Sequence, residues 1–277
     1  MRTEIIISTY NAPRFLHLTL TGILGQDVRP DSIAIADDGS GPETLRVIEA
    51  FRTAHPKIPV RHVWHADDGF RKNVILNRAT ESSDADHLIY TDGDCLLAPG
   101  FVARHRQMVR PDRFCSGSLI RLTDAATKNV TEGDVATGRV FQQDWLKARG
   151  TFDRTTTWLK SMPFPLPVQS ALDALYPIRI TWMGSNASAL RDAILSVNGF
   201  DETMAYGGGD KEFGIRLSNS GVKGRRLRFT APAVHLDHPR GYRDAEAIRR
   251  QREMIGAARS TGKTWTEHGI FPGPDPR

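Results

Sequence analysis

The sequence predicts an α/β protein whose central, mainly parallel sheet is flanked by helices. Two observations carry that expectation. From residue 4 to residue 90, short apolar runs alternate with helical patterns, and such alternation builds parallel sheets through crossover helices. Three of the runs lead into acidic clusters with a glycine, Asp37-Asp38-Gly39, Asp67-Asp68-Gly69 and Asp92-Gly93-Asp94. The carboxyl ends of parallel strands are where such sheets take their ligands, so the three clusters are expected on one rim.

Taken in order, residues 4–9 read as a buried strand ending at Ser8-Thr9. Tyr10-Asn11-Ala12-Pro13 then breaks into a helix over about 14–24, because proline suits the first helical position. Residues 32–36, 60–65 and 87–90 read as further strands, separated by helices over 42–54 and 72–81. Between about 123 and 177 the pattern weakens. There Phe141, Trp145, Phe152, Trp158 and Phe164 are interleaved with Lys147, Arg149, Arg154 and Lys160, a composition that suggests a long functional loop or lid. It could equally be a loop folded onto the core by those aromatics. Regularity returns at 178–183, with a helix near 187–196, a helix opening near Asp210, a strand over 228–234 and a basic helical tail from Arg243 to Arg259.

Composition narrows the class. The chain has 277 residues, 39% hydrophobic and 25% charged, which excludes fibrous, collagen-like and disordered proteins. Lys and Arg number 37 against 32 Asp and Glu, a net charge of +5. That suits an anionic substrate or a membrane surface, and no nucleic-acid motif accompanies it. Cys95 and Cys115 alone cannot make a disulfide framework or a cysteine-rich zinc module, so the cytoplasm is the expected compartment. The isoleucines at positions 5–7 are too few for a secretory signal, and no run of ~18 apolar residues occurs, so any membrane contact is expected to be peripheral, at the inner face.

Each motif has a chemical reading beside a structural one. Asp92 and Asp94, flanking Gly93 at a strand end, can hold a divalent cation that also binds phosphate oxygens, although the tripeptide alone serves as a turn. Asp37 or Asp38 can accept a base imide N–H or a ribose hydroxyl, or simply start a helix. Asp68, Arg71, Lys72 and Asn73 surround a helix N-terminus able to take a diphosphate, or form a solvated charge cluster. His235 follows a strand, with Asp237 on its face and His238 on the other. One imidazole could complete a mixed oxygen and nitrogen site with Asp94, favouring Mn2+. Three glycines, Gly207-Gly208-Gly209, permit close backbone approach before Asp210 and Glu212 open a helix, where a general base could sit or a helix cap suffice.

As a set, these residues resemble the inverting glycosyltransferases of family two on the GT-A scaffold, in the subgroup whose C-terminal part is similar to galactosyltransferases and chondroitin polymerase. Ser8-Thr9-Tyr10-Asn11, Asp37-Asp38-Gly39-Ser40, Asp67-Asp68-Gly69-Phe70-Arg71-Lys72, Asp92-Gly93-Asp94, Trp182-Met183-Gly184-Ser185-Asn186, Asn198-Gly199-Phe200-Asp201-Glu202 and Tyr206 to Phe213 follow the family order. The resemblance implies a nucleoside-diphosphate sugar donor, most often a UDP-sugar, a glycan acceptor that can be lipid-linked, and Mn2+ or Mg2+. By the same resemblance Asp210 is the catalytic base. Asp94 and His235 are metal ligands, with Asp92 beside them and His238 as second candidate. Thr9, Tyr10, Asn11, Asp37, Asp38, Asp68, Arg71, Lys72, Asn73, Asp92 and Gly93 face the donor, and Trp182, Gly208, Gly209 and Glu212 the acceptor. The expected division is a donor-binding half at 1–122, an acceptor-binding and catalytic half at 123–240, and a basic helix and tail at 241–277.

Two departures from the family pattern stand out: Tyr206 where tryptophan is common, and Gly209 where glutamate stands. The second leaves open a nucleotide-sugar-binding protein with a weakened site. A sugar nucleotidyltransferase fits less well, since Ser8 to Pro13 offers no glycine-rich basic loop for a triphosphate.

Overall fold

The computed structural model describes all residues except 153–154, 206, 240–244 and 277. Its strands are β1 (Thr3–Thr9), β2 (Ser32–Asp37), β3 (Val60–Trp64), β4 (His87–Asp92), β5 (Cys95–Leu97), β6 (Arg113–Ser116), β7 (Ser118–Arg121), β8 (Asn186–Leu190), β9 (Lys223–Arg226) and β10 (Pro232–His235). Seven form the main sheet, in the order β3-β2-β1-β4-β8-β6-β9. The first four strands pair in parallel, and β8 is antiparallel to both neighbours. A smaller sheet sets β10 between β5 and β7.

The parallel half follows from its sequence. Every residue of β1 is buried, as a strand covered on both faces requires. Successive side chains leave opposite faces, so Ile6 packs with Ala34, Leu88 and Tyr90 on one side, while Ile5 and Ile7 join Ile33, Ile35 and Ile89 on the other. Three helices complete the crossovers, α1 (Pro13–Leu24), α2 (Pro42–Ala54) and α3 (Lys72–Glu81), the first two with proline in the opening turn. The fourth, α4 (Phe101–Met108), follows β5.

Beyond residue 122 several expectations fail. The described residues of 123–177 carry a chain of short helices where a long loop was expected: α5 (Asp124–Lys128), α6 (Glu132–Ala136), α7 (Gln143–Ala148), α8 (Thr155–Ser161) and α9 (Leu166–Leu175). Local caps start the first two. Thr123 accepts from the Ala126 N–H, and Thr131 with Asp134 makes a reciprocal capping box. Phe141, Trp145 and Phe152 fold inward, whereas Trp158 on α8 is 46% exposed. Trp145 is buried, donates to Asp134 Oδ1 at 3.0 Å and lies under the Arg149 guanidinium at 3.9 Å, with Phe141 and Phe152 packed beside it. Arg154 is outside the described residues.

The helix expected at 187–196 is strand β8 followed by α10 (Arg191–Leu195). Ala187 and Ala189 favour helix intrinsically, but they pair with Tyr90 and Leu88 and pack into the core, and tertiary burial overrides propensity. Residues 178–183 have no regular structure, and the strand expected at 228–234 is only β10. A turn precedes it because Asp173 accepts from the Phe229 N–H at 2.8 Å and the Thr230 hydroxyl at 2.5 Å. Helix α11 (Gly209–Asn219) packs against α12 (Ala245–Ser260), the expected basic helix; Arg243 lies outside the described residues.

Candidate active site

The first part of the site is built where β1 and β4 end together. Ser8 stands opposite Asp92 in register, and its hydroxyl donates to Asp92 Oδ1 at 2.6 Å. Lys72, at the start of α3, donates to the same oxygen at 2.5 Å. Burial alone would depress the Lys72 ammonium, but Asp92, Asp210 and Asp94 around it outweigh that effect and raise its pKa above the ordinary value. A side chain on Gly93 would stand 3.1 Å from Thr9 Oγ1, so glycine is what lets the two strand ends close together. Thr9 Oγ1 itself is buried with no partner among the described residues.

Asp94 sits one residue past this junction. Strand β10 pairs antiparallel with β5, setting His235 opposite Cys95, and the Leu236 N–H donates to Asp94 O at 2.9 Å. The chain therefore arrives at Asp94 from a distant part of the sequence. His238 was expected on the opposite face from His235. Because the strand stops at His235, the imidazoles instead stack at 5.5 Å and both reach Asp94 Oδ2, His238 Nε2 at 2.9 Å and His235 Nε2 at 3.5 Å.

These three residues bring one ligand atom each within 4.8 Å of the others. A carboxylate with imidazoles suits Mn2+ and related ions, so the donor set fits. Burial works to raise the Asp94 pKa, yet the His238 hydrogen bond and the charge of both histidines hold it below the usual carboxylate value. Burial lowers the His235 pKa, against the pull of Asp94, and His235 Nδ1 has no partner among the described residues. Asp92 and Cys95 form a second such group with Asp94, and Ser8 and Lys72 hold only the Oδ1 of Asp92. Cys95 Sγ lies 3.3 Å from Asp94 Oδ1, but burial pushes its thiol well up, so it stays protonated.

Asp210 occupies the first turn of α11. Its Oδ2 accepts from the Gly184 N–H at 2.9 Å, and a Cβ on residue 184 would lie 2.6 Å from Oδ1, so only glycine brings that donor so near. Desolvation raises the Asp210 pKa. Lys72 and the Gly184 N–H oppose the rise, and Asp92 adds to it. Gly209 also has a packing reason. A side chain there would meet Asn73 Nδ2 at 2.7 Å, and that amide donates to Asp201 O at 2.8 Å and Met204 O at 3.1 Å. Asn73, expected at the donor, instead ties down the loop before α11. Gly208 is similarly close to Gln251 of α12, and Tyr206 lies outside the described residues.

Two residues expected at the acceptor point elsewhere. Trp182 is buried, with its ring centroid 4.8 Å from Phe213 and 5.4 Å from Tyr90. Glu212 is buried against Arg216 at 2.7 Å, and Arg216 also donates to the carbonyls of Val197 and Gly199. Glu212 and Phe213, the fourth and fifth residues of α11, are turned inward on the helix's buried face, and Trp182 packs against Phe213 there.

At the β2 end the two aspartates shape their own turn. Asp37 accepts from the Ser40 N–H at 2.8 Å and contacts His62 Nε2 at 2.9 Å. Asp38 contacts His65 Nε2 at 2.8 Å and accepts from the Arg71 N–H at 3.0 Å, and burial raises its pKa. A carboxylate oxygen has lone pairs to spare for a nucleotide donor. Tyr10 donates to Asp67 at 2.8 Å, and Asn11, in the left-handed region at φ 45°, exchanges bonds with Ser40 and Gly41. Arg71 pairs with exposed Asp68 at 3.1 Å. The roles of Ser8, His62, His65 and Gly184 were not foreseen. Ser8 and Gly184 had a readable signal, each standing in a motif of the family order.

The strand-end rim of this α/β sheet thus carries a carboxylate and histidine cluster and a desolvated aspartate. The family model described as glycosyl transferase family 2 matches residues 4–158. The chain belongs to that family and is a glycosyltransferase of the GT-A fold. It is 25% identical to the uncharacterised glycosyltransferase YfnE of Bacillus subtilis, over all of this chain and 75% of that protein. It is 22% identical to a chondroitin synthase of Escherichia coli over 85% of this chain, but spans only 35% of that relative. The O-antigen biosynthesis protein RfbC of Myxococcus xanthus is 23% identical over 89% of this chain and 18% of its own length. Among solved structures, S. aureus TarS 1-349 in complex with UDP-GlcNAc superposes at a TM-score of 0.59 with 13% identity, over 93% of this chain and 66% of that one. The mannosyltransferase PcManGT of Pyrobaculum calidifontis, in complex with GDP-Man and Mn2+, gives 0.56 with 18% identity, over 91% and 60%. The family match ends before β8 and α11, so Asp210 and the histidines lie beyond it.

Proposed function

We propose that the protein moves a sugar from a nucleoside-diphosphate donor, a UDP-sugar, to a hydroxyl of a glycan acceptor with inversion, in surface-polysaccharide or O-antigen-type synthesis at the cytoplasmic face of the membrane. The observation that carries this reading is the meeting of Asp210, Lys72 and Asp94 in one electrostatic group. An in-line displacement needs a base on the acceptor side and positive charge on the leaving side.

In this reading Asp210 takes the proton of the attacking hydroxyl at Oδ1, while the Gly184 N–H fixes the carboxylate through Oδ2. Desolvation makes Asp210 a stronger base than a surface carboxylate, and Lys72 opposes its protonation. Lys72 and Arg71 lie at the N-terminus of α3, where backbone N–H groups favour an anion, so the diphosphate is assigned there. A divalent cation held by Asp94, His235 and His238 would supply positive charge against the departing diphosphate. The relatives named for chondroitin and O-antigen synthesis support a glycan acceptor. The neighbours solved with UDP-GlcNAc and with GDP-Man support a nucleotide-sugar donor.

Gly209 does not by itself argue for a decayed site, because Asn73 leaves no space for a side chain there. The test is nucleotide release from a panel of UDP-, GDP-, CMP- and dTDP-sugars with Mn2+, with Mg2+ and with EDTA, for wild type and Asp210→Asn. Metal-dependent release from one UDP-sugar, lost in the variant, is the expected result. Silence across the panel, with no nucleotide binding by calorimetry, overturns the proposal.

A further inference from the structure

Helix α9 is built inside out. Between residues 155 and 184 the only acidic residue is Asp173, and it is turned into the protein, where it accepts from Phe229 and Thr230. Ser170 also faces inward and accepts from Arg104 Nη2 at 2.9 Å. The outward side carries Val168, 43% exposed, and Leu175, 80%, with exposed Ala171 and Ala174 among them. Just past the helix, Ile178 is exposed as well, at 49%. A helix on a water-facing surface normally shows the reverse, polar outside and apolar within. An aliphatic face of this kind marks a contact with something other than water.

The C-terminal end of that face is ringed by guanidinium groups. Arg226 donates to Asp173 O at 2.8 Å and to Ile178 O. Arg228 lies 4.6 Å from the Tyr176 ring centroid, and Arg179 is exposed beside Ile178. Aliphatic residues bordered by arginines, with no outward carboxylate in the segment, complement a surface that is apolar in depth and anionic at its edge. A second copy of this chain fits less well, because an isologous contact would set arginine against arginine. A glycan fits less well too, since sugars stack on aromatic rings and this face is aliphatic.

We infer that the outward face of α9, with Ile178 and the arginines around it, docks the protein on an anionic phospholipid bilayer. The inference stands apart from the donor and metal chemistry, since it uses none of those residues.

The experiment is vesicle flotation of the full chain with phosphatidylcholine alone and with phosphatidylcholine mixed with phosphatidylglycerol. Binding to the mixed vesicles, weakened by salt, is expected. The double variant Leu175→Asp, Ile178→Asp should lower it at least ~10-fold, since it removes buried aliphatic groups and adds like charge to an anionic surface. Arg179→Glu should weaken it less. Arg250→Glu with Arg252→Glu in α12 should leave it in place. Circular dichroism and donor-only nucleotide release establish that each variant is folded. A fluorophore on Leu175→Cys gives a second readout that needs no loss of function, because Cys95 and Cys115 are fully buried. Its emission should shift to the blue on mixed vesicles. No binding to either vesicle, unchanged binding by the double variant, or loss of binding only in the α12 variant overturns the inference. So does a wild-type dimer in sedimentation velocity that the double variant converts to monomer.

Discussion

Asp94 and Asp210 belong to one electrostatic group around Lys72, yet their surroundings drive them apart. Both are removed from water, which by itself raises a carboxyl pKa. At Asp94 two imidazoles more than compensate, so the group remains an anion suited to holding a cation. At Asp210 the compensation is incomplete. One backbone N–H and one ammonium oppose desolvation, Asp92 reinforces it, and the pKa stays raised, as a proton acceptor requires. Two like residues thus acquire opposite pKa shifts from what packs around them.

The largest effect that would break this contrast is loss of the base. Asp210→Asn should lower transfer by ~10³-fold or more while leaving donor affinity within a few-fold, measured by initial rates and calorimetry. Survival of near wild-type transfer would remove Asp210 from the mechanism. The same variant carries a stability prediction of definite sign. A carboxyl whose folded pKa is raised favours folding below its unfolded value, and that contribution is lost as pH rises through the folded pKa. Asn cannot ionise, so the variant should melt higher than wild type at neutral pH and lose that advantage in acid.

On the Asp94 side, His235→Ala should weaken Mn2+ binding by ~10–100-fold, read by manganese titration in the absence of donor. His238→Ala tests the second imidazole, because it removes the shorter of the two contacts to Asp94. Unchanged affinity in both would leave the cluster as a hydrogen-bonded structural unit.

Smaller effects sharpen the comparison. Gly209→Ala forces a methyl group against Asn73 and should cost about 1–3 kcal/mol in denaturant unfolding. Its catalytic loss should exceed what unfolding explains, since the loop ahead of Asp210 moves with it. Lys72→Met removes the cation that lowers the Asp210 pKa, so the acid limb of the pH–rate profile should move to higher pH. A limb that stays in place would mean that Lys72 does not act on the base.

The donor-side half was legible because its signals are local. An all-apolar run such as Ile5 to Ile7, a proline at the start of α1 and α2, and acidic residues closing β2 and β4 each act within a few residues. The later half misled where local preference and tertiary pairing disagree. Ala187 and Ala189 favour helix but complete the sheet beside β4, and the aromatics of residues 141–152 close a small core where a long loop was expected. The capping box of Thr131 and Asp134 was there to be read and would have announced α6.

By itself the sequence determined which residues could do chemistry and the family to which they belong, because residue type and order survive without coordinates. Only the tertiary structure decided which of them meet. Asp94 gains both histidines because β10 lies against β5 and ends at His235. Glu212 and Trp182 leave the acceptor side for the core because α11 must bury one face against the sheet. Asp210 acquires its raised pKa from desolvation, which no neighbour in sequence supplies. Burial and long-range pairing are properties of the packed chain, and they are what turn a set of carboxylates into separate acids and bases.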